Sequence, residues 1–154
     1  MKIKDVINVI NAAESVELST YGVQGFPEIR AFLNLANPKK YPGLKDKAIH
    51  VDGETFTLYL STNTSSRKIR QIRENNKCCL YYVLPVKFKG ISIIGTMEEI
   101  TDIDIKKDFW QPNWTMYYHK GYTDPDYTLL KFTSKHLHCW GGMGIHDFGE
   151  KLQD

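Results

Sequence analysis

Several stretches of this chain alternate apolar and polar residues with a period of two, and this period narrows the possible folds more than any other feature. From Glu28 to Ala36, Ile29, Ala31, Leu33 and Leu35 fall on one side and Glu28, Arg30, Phe32 and Asn34 on the other. In Thr55–Ser61, Phe56, Leu58 and Leu60 oppose Thr55, Thr57, Tyr59 and Ser61. Side chains of a strand project to alternate faces. Each stretch therefore predicts a strand with one apolar face against a core and a second face free for function. Further strands are expected at Ser15–Tyr21, Lys77–Leu84, Lys89–Ile100, Tyr127–Phe132 and His136–Trp140.

Helical spacing is scarcer. Ile3, Val6, Ile7 and Ile10 predict a short amphipathic helix over Lys2–Glu14, placed to cap one end of a sheet. A second helix is expected from Ser66 to about Asn75, a helical turn at Asp102–Lys107 and a short helix at Phe109–His119. Asn37–Gly53 reads as loop, and Asp124-Pro125-Asp126 reads as a turn rather than a carboxylate pair. Strands and helices do not alternate as in βαβ units, which argues against a Rossmann-type sheet. Six or seven strands with short helices predict a mainly β fold, a small antiparallel barrel with helical additions. The glycine-rich, then charged tail at 142–154 is expected to be loose.

Length and charge set outer limits. The 154 residues suit a single domain spanning 1–154. No run of 18 apolar residues occurs, and Met1–Ile10 lacks the pattern of a signal peptide. Cys78, Cys79 and Cys139 are an odd set without CxxC spacing, so inert thiols in a reducing cytoplasm are expected. The net charge of +2 is too small to suggest a nucleic-acid partner by itself. A basic helix face at Arg67–Arg73 keeps that reading available as a minor alternative. Charge is uneven, however: Ser65–Gly90 holds seven basic residues and one acid. Aromatics, at 12%, are the enriched class, which suits stacking on a flat ligand or a large apolar interface.

The segment with most chemistry is Ser61-Thr62-Asn63-Thr64-Ser65-Ser66-Arg67-Lys68, set between a strand and a helix. A helix start offers free N–H groups and the positive end of the dipole, a natural place for an anion. Hydroxyls, an Arg and a Lys add donors and charge. The same residues also read as a Ser N-cap followed by a solvated basic face, and the spacing leaves both readings open. Arg30 either meets a ligand beside Phe32 or pairs with Glu28 or Glu54. His136 and His138 share a strand face, yet no third ligand stands at a recognised spacing, so no metal site is expected. No GxSxG or HExxH motif occurs.

Arg30-Ala31-Phe32, then Tyr59–Thr62, then Ser66-Arg67-Lys68, in that order, resemble the pyridoxamine 5′-phosphate oxidase-like superfamily of FMN-binding split barrels. Phe109-Trp110-Gln111-Pro112, Asp124-Pro125-Asp126, Tyr127–Phe132 and Trp140 resemble its general stress protein subgroup. The resemblance spans about Met1–Gly141. It implies an antiparallel split β-barrel binding FMN. It further implies that Ser66, Arg67 and Lys68 hold the flavin phosphate, and that Arg30, Ala31 and Phe32 border the ring and ribityl groups. Ser61 and Thr62 would run along the flavin, with Trp110 and Trp140 near the site and Trp110 supplied by a second subunit. A cytoplasmic homodimer with flavin at its interface follows, acting by hydride transfer on a small molecule, with no nucleic-acid or membrane partner. The alternative is a non-catalytic protein that binds or senses flavin, a deazaflavin or haem. The C-terminal stretch Trp140–His146 carries no Arg for a substrate phosphate, so pyridoxamine phosphate is not the substrate implied.

Overall fold

The computed structural model describes residues 1–142 and 144–153. Its elements run α1 (Ile3–Ala12), β1 (Ser15–Tyr21), β2 (Pro27–Leu33), β3 (Ile49–Asp52), β4 (Thr55–Asn63), α2 (Arg67–Glu74), β5 (Lys77–Leu84), β6 (Lys89–Ile100), α3 (Ile103–Phe109), β7 (Tyr127–Gly141) and β8 (Gly144–Gly149). Every strand pair is antiparallel. The sheet runs β2-β1-β5-β6-β7-β4-β3, with β8 added on β7. Because β2 and β3 end that path, the sheet curls without closing, as a mainly β split barrel. Leu18, Phe56, Leu60, Leu80, Ile93 and Phe132 fill its inside and are inaccessible to solvent. α1 buries Val6, Val9 and Ile10 against this core. Its C-terminal carbonyls at Ile10 and Ala13 accept hydrogen bonds from the buried Asn34 amide, at 2.7 and 2.9 Å.

Four expectations are corrected. First, the 37–53 loop contains β3, which pairs with β4 across the Asp52-Gly53 turn. Second, Phe109–His119 is no second helix. α3 ends at Phe109, Trp110 and Gln111 are extended ahead of Pro112, which disfavours a helical Gln111, and a 3₁₀ turn follows at Pro112–Met116. Third, the tail is not loose between Gly144 and Gly149: it turns at Gly142 and pairs with β7. Gly142 has φ 65°, a left-handed conformation that favours glycine.

The fourth correction concerns β2, whose faces are the reverse of those expected. Ile29 and Leu33 are 67% and 50% exposed, whereas Phe32 is 8% exposed. Alternation shows that two faces exist but not which one turns inward. Here the polar row turns in because it finds partners there. Arg30 donates to Thr20 Oγ1 at 2.6 Å, to the Glu28 carbonyl at 3.0 Å and to Gln71 Oε1 at 3.1 Å.

The two strands expected at 127–132 and 136–140 are one strand, β7, interrupted by a bulge. Gly95 of β6 faces Ser134 while Ile94 faces His136, so Lys135 is the extra residue. The bulge inverts the strand's facing. Before it, Leu130, Phe132 and Ser134 are buried; after it, Leu137 and Cys139 are. It also marks a change of neighbour, since β7 pairs with β4 up to Thr133 and with β8 from His136. Among the described residues, no helix is long and apolar enough to cross a membrane. Burial pushes the Cys139 thiol up to about 11 and the Cys78 thiol up to about 12, which leaves both unreactive at neutral pH.

Candidate functional site

A groove of about 490 Å³ opens where the edge strand β2 approaches the end of β4. Arg30, Ala31, Phe32 and Leu33 form one side and Ser61, Thr62 and Asn63 the other. Lys68 enters from α2, and Trp114, Tyr117 and Tyr118 of the 3₁₀ segment form an aromatic wall.

The loop between β4 and α2 is shaped by Asp126. Its carboxylate accepts from the Ser65 N–H at 2.7 Å and from the Asn63 amide at 2.8 Å, and its carbonyl accepts from the Thr64 N–H at 2.8 Å. These donations, Asn63's foremost, hold the Asp126 carboxyl below its ordinary value. Asp124 makes the turn, accepting from the Asp126 N–H at 3.0 Å. Ser66 is the N-cap of α2, yet its side chain makes no capping bond. Its Oγ is buried without a hydrogen-bond partner among the described residues. Such a group costs about 1–3 kcal/mol when left unmade, so it points to something the chain does not itself supply. The first N–H groups of α2, at Arg67 and Lys68, have no intrahelical acceptor either.

The three cations of the site differ. Lys68 reaches Thr62 Oγ1 at 3.1 Å, and its ammonium lies 5.4 Å from the Phe32 ring centre. Burial, and then the charge of Arg30, lower its pKa. Among the described residues it makes no ion pair, because the nearby carboxylate is engaged elsewhere. Glu28 Oε2 accepts from Arg67 at 2.9 Å, from Gln71 at 3.0 Å and from Arg30 at 3.3 Å. Arg30 is thus largely committed within the protein, and burial lowers its pKa against the opposing pull of Glu28. Arg67, with a side chain 65% exposed, is a surface cation leaning on Glu28.

The structure therefore brings together Arg30, Ala31, Phe32, Ser61, Thr62 and Lys68, with Ser66 and Arg67 beside them at the start of α2. It does not bring Trp110 or Trp140 into the groove of their own chain. Trp110 ends α3 and packs edge-on against Trp114, Tyr118 and Tyr127, with ring centres 5.9, 6.1 and 5.2 Å away. Trp140 covers Gly90 and Phe88 at the far end of β7. It is twelve residues beyond Thr128, the partner of Thr62, or about 40 Å along the strand at roughly 3.3 Å per residue. Glu28, Gln71, Asp126, Tyr117 and Tyr118 were not read as site residues. For Glu28 a signal existed, since it shares a strand face with Arg30; for the others only the tertiary contacts reveal the role.

This arrangement resembles known proteins. Residues 42–146 match the family model described as "Pyridoxamine 5'-phosphate oxidase like". Among solved structures, a Clostridium acetobutylicum protein related to general stress protein 26 of B. subtilis (pyridoxinephosphate oxidase family) is 31% identical, with TM-score 0.75. That match covers 96% of this chain and 93% of that one. General stress protein 26 from Bacillus anthracis is 18% identical, with TM-score 0.65, over 90% of this chain and 94% of its own. A general stress FMN/FAD binding protein from Xanthomonas citri is likewise 18% identical, with TM-score 0.65, over 97% and 95%. The last two similarities are of fold. No curated protein sequence matches this chain.

Proposed function

This chain belongs to the pyridoxamine 5′-phosphate oxidase-like family, and on that premise we propose that it binds FMN in the groove between β2 and β4 and acts as a flavin-dependent oxidoreductase. The observation that carries the proposal is the start of α2. A buried Ser66 hydroxyl with no hydrogen-bond partner among the described residues stands beside Lys68, a partly desolvated cation that pairs with no carboxylate among them. A phosphate satisfies both, together with the first N–H groups of the helix. Arg67 adds positive charge at the rim. The groove beyond is walled by Phe32, Trp114 and Tyr118, and its volume lies within the roughly 300–1,000 Å³ of small-molecule sites. Ala31, Ser61 and Thr62 line the path between, while Arg30, held by Glu28 and Gln71, orients a polar ring edge. The name of the X. citri relative, an FMN/FAD binding protein, supports a flavin of this kind.

When bound, the flavin supplies hydride chemistry, and the chain supplies binding, orientation and exclusion of water. The same reading includes a homodimer. Ile29 and Leu33 on the edge strand β2, with Tyr21 and Phe26 at its turn, form an exposed apolar surface next to the groove. Trp110 and Trp140 enter the site only if a second copy supplies them.

Visible absorption of the purified chain and quenching of FMN fluorescence on titration test the proposal. The expected result is saturable binding, weakened at least about tenfold by Lys68→Ala and less by Ser66→Ala. Arg70→Ala, on the exposed side of α2, should leave it unchanged. A colourless chain that ignores added FMN overturns the reading. Reduction of the bound flavin by NADH or NADPH in stopped flow supports catalysis. Flavin that stays oxidised with both donors leaves a binding or sensing protein in its place. Light scattering should give two chains per particle, and a flavin-loaded monomer removes the interface.

A further inference from the structure

Far from the groove, the hairpin of β7 and β8 gathers three potential ligands on its outer face. We propose that His136, His138 and Asp147 form a binding site for a divalent transition ion of the zinc class.

Register builds the cluster. His138 stands directly opposite Asp147, and His136, paired with Gly149, stands diagonal to it. Neighbours of this kind on one face of an antiparallel pair are within side-chain reach. The bulge at Lys135 is essential, because without it His136 and His138 would share the inward facing of Phe132 and Ser134. Asp147 Oδ1 lies 2.8 Å from His138 Nδ1 and 3.2 Å from His136 Nε2. All three ligand atoms lie within 4.8 Å of one another. A tetrahedral zinc with bonds of about 2.0–2.2 Å spaces its ligands roughly 3.3 Å apart. The two carboxylate–imidazole distances already lie near that spacing.

The second nitrogen of His136 provides an independent argument. Nδ1 lies 2.9 Å from the backbone carbonyl oxygen of Glu150, which only accepts. Nδ1 therefore donates to that carbonyl, and Nε2 is the nitrogen that faces Asp147 Oδ1, at 3.2 Å. A histidine that donates one nitrogen to a carbonyl and offers the other to a metal is the usual outer-shell arrangement. Two imidazoles and one carboxylate favour zinc-like ions over Mg²⁺ and Ca²⁺, which prefer oxygen alone. The residues of β6 paired with the two histidines, Ser92 and Ile94, are uncharged and add no competing ligand. Bound there, the ion fastens β8 to β7.

The test is isothermal titration of the full chain, free of any histidine tag and treated with chelator, with Zn²⁺ and separately with Mg²⁺. The expected result is one zinc per chain and no saturable magnesium binding. His138→Gln and Asp147→Asn should each weaken zinc binding at least about tenfold. His146→Gln, opposite Cys139 on the other face of the hairpin, should leave it unchanged. Zinc should also move the ring resonances of His136 and His138 in the unaltered chain, a readout independent of how any variant folds. Absence of saturable zinc binding, equal weakening by His146→Gln, or unmoved ring resonances each overturn the proposal.

Discussion

The groove and the hairpin cluster are built in opposite ways. The groove draws on β2, β4, α2 and the 3₁₀ segment at Pro112–Met116, so residues as distant in sequence as Arg30 and Tyr118 share it. It depends on the curl of the whole sheet. The hairpin cluster spans only His136 to Asp147 and depends on one register and one bulge. Their electrostatics differ as well. In the groove, Glu28 accepts from three side chains and, among the described residues, Lys68 has no carboxylate, so the surplus is positive. On the hairpin, Asp147 Oδ1 faces two rings, and their proximity, the His138 hydrogen bond first, holds its carboxyl below the ordinary value. A site of long reach thus presents charge for an anion, and a local one presents paired donors for a cation.

Gly95 faces the bulge at which β7 passes from β4 to β8, and changing it should have the largest effect. A Cβ on Gly95 would run into the Thr133 carbonyl at the bulge, where backbone cannot move aside cheaply. Gly95→Ala should destabilise the chain by about 3 kcal/mol, lowering Tm by about 10 °C. If the two regions are coupled through the bulge, it should perturb nuclear magnetic resonance shifts at both Thr62 and His138. A change confined to one of them would break the comparison.

Asp126→Asn should act on the groove alone. The amide that replaces one carboxylate oxygen cannot accept from both Ser65 and Asn63, so a cost of about 1 kcal/mol at pH 7 is expected. The sign with pH follows from the lowered pKa. Asp126's stabilisation is present above the ordinary carboxyl value of 3.8 and is lost as pH falls through the lower folded value. The two stability curves, from urea titrations, should therefore converge below pH 3.8. A gap that persists there means the carboxylate charge is not what holds the loop. The smallest effect belongs to the hairpin. Without metal, His138→Gln removes only a half-exposed contact and should change stability by no more than about 0.5 kcal/mol.

Legibility in the sequence followed the range of the interactions. β4, β5 and β6 were readable because alternation is local, and β4's apolar row Phe56, Leu58 and Leu60 is indeed the buried one. β2 shows where such reading stops. Its apolar residues are the ones left in solvent, because the inward choice was made by Thr20 and Gln71, which lie in other elements. Lys68 and Ser66 were readable as residues suited to an anion. That Lys68 is half-buried without a carboxylate, while Arg67 is exposed and occupied, was not. The gap read between Phe132 and His136 was a bulge, visible only once Gly95 and Ser134 are seen to face each other.

The period-two alternation therefore determined, by itself, a mainly β antiparallel architecture, since side-chain facing along a strand is a property of backbone geometry. The order of Arg30, Ser66 and Lys68 along the chain carried the family likeness. Which face of β2 turns inward, where β7 inverts, and that Asp147 meets His136 and His138 were decided only by tertiary structure. The first depends on satisfying polar groups across residues far apart in sequence, the second on the bulge opposite Gly95, and the third on hairpin register, and no local pattern records those partners.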